Sequence, residues 1–144
     1  GKEKPNILYI GTPAYDLGES QVKQIDRFVE IGCCVSALLV VNGTPSEADI
    51  EKAFNSVDVV VMSGGNTLYA VDRLMRLGVH KHLFRAMERG VVLCGGSAGA
   101  ICWFDGGHSD SMDPESYREA KLASKSVADD SEAPLNEDEK KKSW

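Results

Sequence analysis

Four short apolar runs punctuate this 144-residue chain: Ile7-Leu8-Tyr9-Ile10, Val35 to Val41, Asp58 to Met62 and Val91 to Cys94. The stretches between them repeat apolar residues at helical spacing. A strand that is apolar along its whole length, rather than at every second residue, is one covered on both faces. Parallel neighbours need a crossover connection, most often a helix, and nearly all such crossovers have the same hand. The pattern therefore predicts an α/β fold, a doubly wound and mainly parallel sheet with helices on both faces. That architecture hosts many chemistries, so function has to be sought in the loops.

The helices can be placed from their periodicity and their ends. Val22, Ile25, Phe28 and Val29 recur at helical spacing up to Gly32. Thr44-Pro45-Ser46-Glu47 predicts a helix start with Thr44 as N-cap, Pro45 at the first helical position and Glu47 three residues after the cap. Two further helices are expected, Thr67 to Leu77 and about His80 to Arg89, separated by Gly78. Beyond Phe104 the chain turns small and polar, and Asp113-Pro114-Glu115 predicts the start of a helix over Ser116 to Lys125. Residues 126–144 are rich in Asp, Glu, Lys and Ser and cannot bury enough to order themselves. The expected organisation is one α/β domain over residues 1–125 and a charged flexible segment over 126–144.

Two glycine-rich loops carry the chemistry. Gly95-Gly96-Ser97-Ala98-Gly99 joins the last strand to a helix, so Ser97 stands on a tight turn with small residues on both sides. Such a nucleophile elbow lifts the serine oxygen above the sheet and frees the following N–H, that of Ala98, to face a developing oxyanion. The same turn also suits a phosphate, or no ligand at all. Ser63-Gly64-Gly65-Asn66-Thr67 follows the third strand. In a parallel sheet both loops open at the carboxyl edge, where ligands of open α/β sheets sit. If the two strands are neighbours, the Gly64-Gly65 backbone can supply a second oxyanion donor, and a side chain at Gly65 is then expected to impair hydrolysis more than folding. Asn66 is placed to cap the next helix, to bond a substrate, or to do both.

The remaining composition excludes more than it assigns. A formal charge of −6 and the lack of a basic stripe with interleaved aromatics argue against nucleic acid. No apolar run reaches the length of a membrane span. Cys33, Cys34, Cys94 and Cys102 form no C-x-x-C pair and the three histidines are scattered, so neither a metal site nor a cofactor is expected. Cys94 precedes the turn instead of occupying its apex and reads as a buried small hydrophobe. The unpaired thiols fit a cytoplasmic chain.

Gly64-Gly65-Asn66-Thr67, Gly95-Gly96-Ser97-Ala98-Gly99-Ala100 and Ile101-Cys102-Trp103-Phe104, in this order and spacing, resemble the α-aspartyl dipeptidase (dipeptidase E) family of serine peptidases, relatives of the cyanophycinases. The resemblance runs from Pro5 to about Tyr117. It implies a flavodoxin-like or class I glutaminase-like sheet, Ser97 as nucleophile, and an oxyanion hole from the N–H groups of Gly65 and Ala98. It also implies removal of an N-terminal aspartate from short acidic peptides through an acyl-enzyme, without a metal. The alternative is a non-catalytic anion- or peptide-binding module on the same fold.

The sequence departs from the family's pattern at both ends. The family's catalytic histidine lies on a strand after the elbow helix in a Pro-His context, and no such segment follows Ser97; a glycine-rich first strand is absent as well. The chain is thus expected to be incomplete at both ends, with its general base outside these residues and its uncovered apolar surface met by the remainder of its polypeptide or by a homo-oligomer. His108 is the histidine nearest the elbow and can be read as the base, with Asp105, Asp110 or Asp113 as its orienting acid; because a triad normally draws its members from separate strands, a substrate-contacting or solvated loop histidine is expected instead, and His108 and Asp110 are candidates for substrate contact. Arg73, Arg76, Arg85, Arg89 and Arg118 are candidate carboxylate partners for an aspartyl side chain, with none singled out.

Overall fold

The computed structural model describes residues 3–111 together with Glu115, Arg118 and Glu119. The helix expected over Ser116 to Lys125 and the charged segment 126–144 lie outside these residues, except that Arg118 and Glu119 are helical. Strands β1 (Asn6–Ile10), β2 (Cys34–Leu38), β3 (Val59–Met62) and β4 (Val92–Gly95) alternate with helices α1 (Gly18–Glu30), α2 (Glu47–Phe54), α3 (Thr67–Arg76), α4 (Val79–Glu88) and a short α5 (Ala98–Ile101).

All the strand pairs are parallel and the sheet runs β2-β1-β3-β4. The chain first winds outward from β1 to β2, then returns past β1 to build β3 and β4. The strand order therefore reverses between β1 and β3, the place where open α/β sheets leave a crevice at their carboxyl ends. Register aligns Ile10 with Met62 and Met62 with Gly95, so the loops after β1, β3 and β4 leave the sheet at one level.

Alternate strand residues divide between two cores. Leu8, Ile10, Val60 and Met62 pack with Ile50 and Phe54 of α2, Leu74 of α3, and Val79, Leu83 and Ala86 of α4. Ile7, Tyr9 and Val61 point to the other face, against Ile25 and Phe28 of α1. Helices thus cover both faces of the central strands β1 and β3, as their unbroken apolar runs require, whereas the edge strands β2 and β4 remain largely exposed or half-buried, against the expectation that all four runs are covered on both faces. No helix among the described residues is long and apolar enough to cross a membrane.

Two boundaries differ from the sequence expectation by more than one residue. Ser46, rather than Thr44, caps α2. Its hydroxyl accepts from the Asp49 N–H at 3.2 Å and its own N–H donates to the Asp49 carboxylate at 3.2 Å. Asp49, three residues on, completes that reciprocal pair, and Pro45 is left outside the helix. Strand β2 ends at Leu38 instead of Val41, because the N–H groups of Val40 and Val41 turn away to donate to the Asp16 carboxylate at 2.7 and 2.8 Å.

Candidate active site

Ser97 occupies the turn between β4 and α5 with φ 54° and ψ −120°. A non-glycine residue held there costs about 1–3 kcal/mol, which the surrounding structure must impose. Three features impose it. The Ser97 carbonyl accepts from Ala100 and Ile101 N–H at 2.8 and 3.0 Å, starting α5 immediately. A Cβ on Gly99 would fall 2.2 Å from the Met62 carbonyl oxygen, so only glycine lets α5 press onto the end of β3. A Cβ on Gly95 would fall 2.5 Å from the same oxygen. The Ser97 side chain is exposed, and its hydroxyl makes no hydrogen bond among the described residues.

The second glycine loop lies against this turn. A Cβ on Gly64 would lie 3.2 Å from the Gly96 carbonyl oxygen and 3.6 Å from Ser97 Cβ, so the two loops are in van der Waals reach. Gly65 follows at φ +140°, a conformation open in practice only to glycine. Among the described residues neither the Gly65 nor the Ala98 N–H is taken by an acceptor. A Cβ on Gly65 would lie 2.0 Å from the carbonyl oxygen of Pro13. The obstacle is backbone and not a yielding side chain, so a side chain there burdens the fold itself, against the expectation that hydrolysis would be impaired more than folding.

Pro13 belongs to a 3-10 turn, Thr12–Ala14, that follows β1. Its carbonyl also accepts the Asn66 N–H at 2.8 Å, and the Ala14 N–H donates to Ser63 Oγ at 3.2 Å. The β1 loop thereby clamps the β3 loop, a contact that nothing in the sequence spacing announces. Asp16, at φ 54°, ties this turn in place through its two bonds to Val40 and Val41. Burial pushes the Asp16 carboxyl above the usual carboxylate range, against the two N–H bonds and the Arg73 charge.

Asn66 is 2% exposed and caps α3, its Oδ1 accepting from the Tyr69 N–H at 3.0 Å. Its Nδ2 is buried without a hydrogen-bond partner among the described residues. The loop after α5 is docked on the same helix end. Ser111 Oγ accepts from the Thr67 N–H at 2.8 Å, and Ser109 Oγ bonds Thr67 Oγ1 at 3.2 Å. Sequence reading passed over these two serines, because a hydroxyl in a polar loop carries no signal of its distant partner. His108 and Asp110 stand exposed on that loop and form no hydrogen bond with Ser97.

Other candidates are accounted for by the framework. Arg73 donates to the carbonyls of Val40 and Gly43 at 2.8 and 2.9 Å, and Arg89 to that of Phe54 at 3.0 Å. Arg76 pairs with Asp72 on the surface. Cys94 donates to the Val60 carbonyl, and burial raises its thiol above the ordinary range, the opposite of an activated nucleophile. All four cysteines are unpaired, and no cluster of three metal-ligating side chains occurs among the described residues.

Strand order, winding and loop placement put the chain among flavodoxin-like, class I glutaminase-like α/β proteins. It belongs to peptidase family S51, whose profile matches residues 1–131. The uncharacterized peptidase YgaJ of Bacillus subtilis (strain 168) is 32% identical over 113 residues, which are 78% of this chain and 48% of that protein. A putative peptidase E from Listeria monocytogenes EGD-e superposes with a TM-score of 0.61 at 22% identity, covering 70% of this chain and 50% of the other. A peptidase from an acI-B1 Actinobacterium gives 0.55 at 22% identity, over 69% and 43% of the two chains. The chain spans about half the length of the relatives it matches.

Proposed function

We propose that the protein hydrolyses short peptides through an acyl-enzyme on Ser97, removing an N-terminal aspartate from dipeptides. The observation that carries this reading is the unpartnered Ser97 hydroxyl, raised on a strained turn with the Gly64-Gly65 loop against it. The Ser97 oxygen attacks the scissile carbonyl and gives up its proton to a general base. The tetrahedral oxyanion is met by the N–H groups of Gly65 and Ala98; its collapse breaks the C–N bond as the base returns the proton to the leaving amine, and water then attacks the ester, releasing the aspartate and restoring the Ser97 hydroxyl. Asn66, His108 and Asp110 border the substrate, the last two on a loop pinned to α3 by Ser109 and Ser111. Membership in a family of peptidases supports the reaction class; the aspartyl preference rests on the resemblance of the two glycine loops.

Labelling with a fluorophosphonate probe tests the assignment. Wild-type protein is expected to be labelled and Ser97→Ala to be silent, with turnover of aspartyl dipeptides lost in parallel. Equal labelling of both would remove Ser97 from the role, and saturable peptide binding without turnover would establish a binding module instead.

A further inference from the structure

Among the described residues, Tyr15, Asp16 and Ser97 alone are non-glycine residues at positive φ, at 56°, 54° and 54°. Ser97 is the residue on the elbow. The other two are consecutive and follow the 3-10 turn whose Pro13 carbonyl lies over Gly65. Left-handed backbone is costly for a residue with a Cβ and persists only where its surroundings impose it. Here it folds the chain back on itself, so that the Gly11 carbonyl accepts from both the Ala14 and the Asp16 N–H, at 2.8 and 3.1 Å.

Two loops grip this turn from opposite sides. On one side Pro13 and Ala14 bond the loop after β3, through the Asn66 N–H at 2.8 Å and Ser63 Oγ at 3.2 Å. On the other, Asp16 Oδ2 accepts from the N–H groups of Val40 and Val41 in the segment after β2, at 2.7 and 2.8 Å. That segment is itself held, because Arg73 of α3 donates to the Val40 and Gly43 carbonyls at 2.8 and 2.9 Å. Asp16 Oδ1 is tucked against Gly11, where an added Cβ would lie 3.2 Å away. Tyr15 is 7% exposed, and its ring packs on that of Tyr69 in α3 with centroids 4.7 Å apart.

We propose that Asp16 is a positioning residue for the oxyanion hole: by anchoring the turn after β1 to the segment after β2, it keeps the Pro13 carbonyl against Gly65 and so fixes the direction of the Gly65 N–H. The proposal rests on the reading of Ser97 and Gly65 given above. An oxyanion donor contributes fully only when it is aimed before the charge develops. Gly65, at φ +140°, has no side chain to hold its own peptide, so its orientation is set from outside, by Pro13. Asp16 acts at a distance, through the turn. What the anchor requires is one oxygen accepting two N–H bonds, and the amide of an asparagine supplies that oxygen in the same place.

The test compares Asp16→Ala with Asp16→Asn in the whole chain. It follows the rate at which saturating fluorophosphonate labels Ser97, and the Gly65 and Ala98 amide signals in proton–nitrogen correlation spectra. Asp16→Ala is expected to slow labelling by about tenfold per folded molecule, with the half-saturating probe concentration nearly unchanged. The Gly65 amide signal is expected to move while that of Ala98 stays in place, and Asp16→Asn to restore both rate and signal. If Asp16→Ala does not fold, Asp16→Glu takes its place with the same expectations, since it keeps the acceptor and displaces the turn by a methylene. A merely structural role would lower the melting temperature and leave the rate per folded molecule and the Gly65 signal as in wild type, which overturns the proposal. Failure of Asp16→Asn to restore either one overturns it as well. The two readings fail separately. A Gly65 signal that moves in a protein whose wild-type Ser97 is never labelled sustains the positioning and removes the reaction, whereas full-rate labelling of Asp16→Ala sustains the reaction and removes the positioning.

Discussion

The carbonyl of Pro13 faces the Cα of Gly65 so closely that a Cβ there would stand 2.0 Å from its oxygen, and the same carbonyl accepts the Asn66 N–H at 2.8 Å. The loop proposed to stabilise the oxyanion is thus shaped by the loop after β1. Replacing Gly65 by Ala or Val is expected to lower stability and abolish turnover together. A variant with an unchanged melting temperature would show that the two loops separate easily.

Gly64 allows a cleaner test. Its added Cβ meets Gly96 O at 3.2 Å and Ser97 Cβ at 3.6 Å, so Gly64→Ala crowds the elbow without a severe clash. Loss of one oxyanion donor costs ~3 kcal/mol, and a partial displacement is expected to slow acylation by about tenfold while the melting temperature stays nearly constant. Acylation at the wild-type rate would remove this loop from the chemistry.

Asn66 caps α3 whatever else it does. Asn66→Ala is expected to cost ~1 kcal/mol or more in stability, and Asn66→Ser to recover most of it, since Ser is an equally good cap. Substrate contact through the amide predicts that Asn66→Ser regains stability without regaining KM for an aspartyl dipeptide. Recovery of both would reduce Asn66 to a cap.

Asp16 sets a pH dependence of stability. Its carboxyl is raised in the folded protein, chiefly by burial, so the folded state holds that proton to higher pH than the unfolded chain. The contribution is fully present below the unfolded pKa and is lost as pH rises through the raised folded value. Denaturation measured across that window is expected to show a fall in stability that Asp16→Asn flattens. An equal fall in the variant would assign the slope to other carboxylates.

Ser111 holds the loop carrying His108 through the Thr67 N–H. Ser111→Ala leaves that donor at the start of α3 without its acceptor, and a loss of about 1 kcal/mol with faster amide exchange at Thr67 is expected. If His108 and Asp110 contact substrate, KM rises more than kcat falls. Unchanged exchange at Thr67 would show that the anchor contributes little.

The sequence by itself determined what depends on near neighbours. Unbroken apolar runs such as Val59 to Met62 specified strands covered on both faces, and Gly78 ended one helix and began another. Gly95 and Gly99 on either side of Ser97 signalled a tight turn because only a residue without a Cβ lets the backbone approach so closely there, and the two glycine loops sufficed to indicate the family. Tertiary structure decided which loops meet. The order β2-β1-β3-β4 brings Gly64 against Ser97, Pro13 over Gly65, Asp16 onto Val40 and Val41, and Ser111 onto Thr67. These partners are separated by 24 to 52 residues, and their contacts arise from chain winding and close packing, which no local periodicity encodes. The helix start at Ser46 lay between these cases. Both Thr44 and Ser46 are good caps, and only the reciprocal bonds with Asp49 select the second.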